Sequence, residues 1–108
     1  MNTVSDFRKS LKVGTKLGCT FHMKFNGRDE KGNALYTDEQ RPTREVSRVM
    51  SSKFALKTTR QDGRVEESFC EFPKATQASF ENDRMTIYEH DDRTGKQIPI
   101  LTYWIVNE

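Results

Sequence analysis

The chain has 108 residues, the length of one domain with room for a single core. Hydrophobic residues make up 33%, the net charge is +2, and no segment approaches the run of about 20 apolar residues that a membrane span requires. The near-neutral charge also argues against strict mimicry of nucleic acid, whereas seven Phe, three Tyr and one Trp carry enough ring area to close a small core.

The N-terminus, Met1-Asn2-Thr3-Val4-Ser5-Asp6, lacks a basic region followed by an apolar stretch, so no secretory signal is visible. A cytoplasmic home is expected, with Cys19 and Cys70 as free thiols. Val4, Phe7 and Leu11 fall at i, i+3 and i+7, Thr3 or Ser5 is able to cap, and Gly14 follows. The spacing predicts a short amphipathic helix over about residues 3–11 that must pack on a sheet.

From Leu17 to Phe25 every odd residue is apolar (Leu17, Cys19, Phe21, Met23, Phe25) and every even one is Gly, Thr, His or Lys. Such alternation belongs to a strand with one dry face, and the odd face is expected to be covered by the later strands. Residues 26–42 hold Asn26-Gly27, Gly32-Asn33 and Pro42 with little apolar content, so they read as a long loop or a loose hairpin. A second strand is predicted over about 43–50, where Val46 and Val49 share a face only with a bulge.

Phe54, Leu56 and Thr58 alternate with Lys53, Ala55 and Lys57, and Asp62-Gly63 supplies turn chemistry for an antiparallel hairpin into a fourth strand over about 65–72. Pro73 ends that strand. Residues 80–85 form another turn, Met85–Glu89 a fifth strand, and the segment from Ile98 to Val106 is apolar on both faces. A strand dry on both sides needs two covers, so the helix or a second subunit, as in a homodimer, is expected over one of them. The whole reads as a single mainly β domain: a small curved sheet or barrel, SH3-like or OB-like in style, of five to six antiparallel strands with a short N-terminal helix.

Charge is segregated along the chain. Arg41, Arg44, Arg48, Lys53, Lys57, Arg60 and Arg64 fall within 41–64, and Glu66, Glu67, Glu71, Glu81, Asp83, Glu89, Asp91 and Asp92 fall within 65–92. Two readings follow: a basic side and an acidic side, or cross-strand pairs that mix the signs.

Little points to catalysis or to a resident metal or cofactor. His22 and His90 are the only histidines; the first sits on the wet face of its strand and the second in an acidic turn beside Glu89, Asp91 and Asp92. Cys19 and His22 have Cys-x-x-His spacing, yet on a strand they point to opposite faces, and the acids of residues 89–92 lack the spacing of a calcium loop. Binding remains. For nucleic acid the candidates are Arg44, Arg48, Lys53, Lys57, Arg60 and Arg64, a stripe able to track phosphates. For a protein partner they are Tyr36, Tyr88, Leu101, Tyr103 and Ile105.

The combination of Leu11-Lys12-Val13-Gly14-Thr15, Phe54-Ala55-Leu56-Lys57-Thr58-Thr59 and Ser68-Phe69-Cys70-Glu71-Phe72-Pro73-Lys74-Ala75 resembles the small accessory proteins that phages and other mobile elements carry. The resemblance brings no catalytic residues. It implies a protein that binds and blocks a host factor, host-defence nucleases included, or that binds nucleic acid.

Overall fold

The computed structural model describes residues 1–107. One helix, α1 (Val4–Ser10), precedes seven strands: β1 (Lys16–Arg28), β2 (Ala34–Val49), β3 (Lys53–Thr59), β4 (Val65–Glu71), β5 (Ala78–Glu81), β6 (Arg84–His90) and β7 (Gln97–Ile105). All pair antiparallel in the order β4-β3-β2-β1-β7-β6-β5, curled into a half-barrel. Two meanders, β1 to β4 and β5 to β7, are thus joined where the last strand pairs with the first. The mainly β reading holds, with one strand more than expected. Among the described residues no helix is long and apolar enough to cross a membrane.

Local chemistry sets these elements. Thr3 caps α1 by accepting from the Asp6 amide at 3.0 Å, and Asp6 returns the bond from the Asn2 amide at 3.1 Å. The Asn2 amide holds the Asp6 carboxyl below its usual range. A helix of seven residues is too short to stand alone. Its single buried side chain, Phe7, anchors it by packing edge-on against Phe54 and Phe72 with ring centroids 5.9 and 6.2 Å apart, and against Tyr103 at 6.2 Å. Leu11, Leu17, Val46, Leu56 and Met85 complete the core.

The predicted alternation of β1 holds from Leu17 to Phe21, where its residues pair with Ile105 through Leu101 of β7. Beyond Phe21 two expectations fail for one reason. The β1–β2 register shifts between Phe21 and Lys24, and β7 no longer flanks the strand, so Phe25 lies 56% exposed instead of covered. Of the loop and the loose hairpin expected over residues 26–42, the hairpin is the one that forms: only Asp29–Asn33 turn, closed by the Asp29 amide donating to the Asn33 carbonyl at 2.9 Å. Because β3 joins β2 only through Val46–Val49, the distal half of β1 and β2 forms a two-stranded arm.

The expected turn at 80–85 also holds a strand. Ala78–Glu81 pairs with Arg84–Ile87 across Asn82 and Asp83, both at positive φ, the geometry of a two-residue hairpin. The two faces of β7 are closed differently. Leu101, Tyr103 and Ile105 turn to the concave side, where α1 packs on Tyr103. On the convex side Trp104 has Gly18 and Arg84 as its cross-strand partners, with the Arg84 guanidinium 4.2 Å above its ring. A side-chain stack thus covers the Trp104 end of this strand's second face.

Candidate functional site

Four surfaces bear on function, and the basic stripe comes first. The antiparallel register sets residues 53–59 of β3 against residues 71–65 of β4, so neighbouring strands carry opposite charge. Arg48 Nε lies 3.1 Å from Glu67 Oε2, Arg60 Nε 3.0 Å from Glu66 Oε2, Arg64 Nε 3.5 Å from Asp62 Oδ2, and Lys57 Nζ 3.1 Å from Glu45 Oε2. Lys53 rests on the Phe69 ring at 4.9 Å. Of the two readings of the charge segregation, the mixed one holds in this region: Lys57–Glu45 and Arg60–Glu66 join neighbouring strands, Arg48–Glu67 reaches across β3, and Arg64–Asp62 closes within the turn. Arg44 stands apart, on the concave side.

The projecting arm is the second surface. Phe25 and Tyr36 are direct cross-strand partners, 56% and 52% exposed, with Leu35 beside them at 43%. Arg28 lies over the Phe25 ring at 5.8 Å and donates to the Gly32 carbonyl at 2.9 Å. The sequence singled out Tyr36 but missed Phe25, because unbroken alternation places Phe25 in the core.

Third is the concave mouth. A cavity of about 220 Å³ is lined by Leu17, Cys19, Phe21, Arg41, Arg44 and Leu101 among others. A second, of about 390 Å³, lies across Tyr103 and Leu101 and reaches Cys70, Ile87 and Tyr88. Of the predicted protein-binding residues, Leu101 and Tyr103 thus line these hollows, Ile105 is packed against the core and Tyr88 accepts from Ser79 Oγ at 3.1 Å. Tyr103 is corrected as a surface residue: it is 3% exposed, and its hydroxyl donates to Cys70 Sγ at 3.6 Å. Burial pushes the Tyr103 phenol and the Cys19 thiol above their ordinary values. Both cysteines are free thiols.

Fourth, His22 is engaged rather than simply solvated. Its Nδ1 lies 2.8 Å from Asp38 Oδ1 and its Nε2 2.7 Å from Thr102 Oγ1, which is 2.9 Å from Thr86 Oγ1. An ionised carboxylate only accepts, so Nδ1 carries a proton; a neutral ring then accepts from Thr102, and Thr86 donates to Thr102. The chain of bonds ties β2, β1, β7 and β6 together. Its acid–imidazole–hydroxyl order has the sequence of a hydrolytic triad, but Thr102 is 8% exposed and shared with Thr86, which suits cross-linking of strands. His22→Ala should cost about 1–2 kcal/mol, read by urea denaturation.

The remaining polar turn is self-satisfied. Asp91 accepts from the Arg93 amide at 3.0 Å and the Thr94 hydroxyl at 2.9 Å, bonds that hold its carboxyl below the usual range. Among the described residues no group of three His, Cys, Asp or Glu side chains is placed to hold a metal ion. No family model matches the chain, and neither a curated protein nor a solved structure does.

Proposed function

We propose that this chain works by binding another protein, with the tip of the β1–β2 arm as its docking element. The observation that carries the reading is the opposed Phe25–Tyr36 pair, two rings left half-exposed on a projecting ribbon. Exposed aromatic side chains on a projecting element fit a partner's surface, because rings bury large area at small entropy cost. The biological setting that goes with this reading is a phage or mobile-element accessory protein acting in the host cytoplasm on a host protein, including as an inhibitor of a defence system. Nucleic acid is the weaker reading, since the basic residues of β2 to β4 other than Arg44 already have acidic or aromatic partners.

The test is made on the purified partner. Phe25→Ser with Tyr36→Ser should weaken binding by more than about tenfold, as loss of central aromatic contacts does, with the unfolding midpoint unchanged. Lys53→Glu with Lys57→Glu should leave affinity within about threefold, and rising salt should change it little. Tight binding by the arm variant would send the search for the contact elsewhere on the molecule.

A further inference from the structure

We infer that the concave mouth is a binding site for a small organic anion with an apolar body, its anionic group seated on Arg44. The site is independent of the arm. It arises where β2 changes partners: residues up to Glu45 pair with β1, whereas Val46–Val49 pair with β3. Past Leu56, β3 continues against β4 alone. The two strands therefore diverge, leaving a crevice of about 370 Å³ between Pro42–Glu45 and Lys57–Thr59. Arg44 lines this crevice and also the 220 Å³ cavity floored by Leu17, Phe21 and Leu101, so a cationic group stands at the junction of a polar cleft and an apolar hollow.

Three features point to a ligand there. Arg44 is half-buried, yet among the described residues no carboxylate lies within ion-pair distance of it, unlike Arg41, Arg48, Arg60 and Arg64. The Thr58 hydroxyl on the facing strand is buried with no hydrogen-bond partner. Arg41 lies 2.7 Å from Glu39 Oε1 and stacks 4.8 Å over Phe21, but its buried Nε is not aligned to donate. A buried hydroxyl without a partner costs stability, and an oxyanion seated between the Arg44 guanidinium and Thr58 accepts from both. The acid that lines the crevice, Glu45, is held by Lys57 at 3.1 Å. The Leu17, Phe21 and Leu101 side chains then take the ligand's apolar part.

The probe is 8-anilinonaphthalene-1-sulfonate, an aromatic sulfonate whose fluorescence rises in apolar surroundings, titrated into the intact chain with decanoate and 1-decanol as competitors. Saturable binding of one equivalent is expected, displaced by decanoate roughly tenfold more effectively than by decanol, about the value of one charge-assisted contact. Arg44→Gln should weaken probe binding by roughly tenfold, with an unfolding midpoint unchanged or raised because an unpaired charge has gone. Arg44→Lys should retain part of the affinity, and Arg64→Gln, in the distant hairpin, all of it. Absence of saturable binding, equal competition by decanol, or equal affinity in Arg44→Gln overturns the assignment.

Discussion

Phe7→Ala should lower the stability of the domain by about 3–5 kcal/mol, the largest loss expected from any single substitution in this chain. Phe7 is 0% exposed and is the only buried side chain of α1. It meets Phe54, Phe72 and Tyr103, which come from β3, the segment after β4, and β7. Truncating the ring removes a shared wall of three others and unmoors a helix that cannot persist without packing. Chemical denaturation monitored by circular dichroism gives the loss directly, and a cost below about 1 kcal/mol would mean that α1 is an ornament on a sheet that closes by itself.

Gly18→Ala should destabilise by about 1–3 kcal/mol through overpacking, and the change should be visible in a single chromophore. A Cβ at Gly18 would fall inside the indole of Trp104, against Cε2, Nε1 and Cζ2. The backbone there is ordinary strand, so the glycine is required for space rather than for conformation. Trp104 is the sole tryptophan and is held from the other side by Arg84. Displacing it should expose the ring and shift its emission to longer wavelength. A variant with native emission and native stability would contradict the stack.

The parts of the fold legible in the sequence were those where one face is dry and the other wet. Leu17 to Phe21 of β1, Phe54 and Leu56 of β3, and the spacing of Val4, Phe7 and Leu11 carry their burial in their periodicity, although Ala55, on the other face of β3, is buried as well. The arm was illegible for the converse reason. A ribbon wetted on both faces needs no alternation, so residues 26–42 read as either a long loop or a loose hairpin, and a register shift after Phe21 reversed the expected fate of Phe25. Strand β5 hid behind a turn made by Asn82 and Asp83 in place of glycine. Charge along the chain misled because pairing depends on register: Lys57 finds Glu45 on one neighbouring strand, and Arg60 finds Glu66 on the other.

The candidate sites divide along the same line. Arg44 was one of six equivalent cations in the sequence, and only the divergence of β2 from β3 sets it apart from the rest. The His22–Asp38–Thr102–Thr86 chain joins residues far apart in sequence, so no spacing rule reveals it. Tyr36 was legible because an aromatic residue in a polar segment has no core of its own to enter.

The most direct test of the binding role is affinity capture from nuclease-treated bacterial lysate, run in parallel with the wild-type chain and the Phe25→Ser, Tyr36→Ser variant, both first shown to be folded. The account predicts a discrete protein retained by the wild type, insensitive to nuclease and absent from the variant. Retention of nucleic acid alone in untreated lysate, lost as salt rises and equal for the two chains, would contradict it.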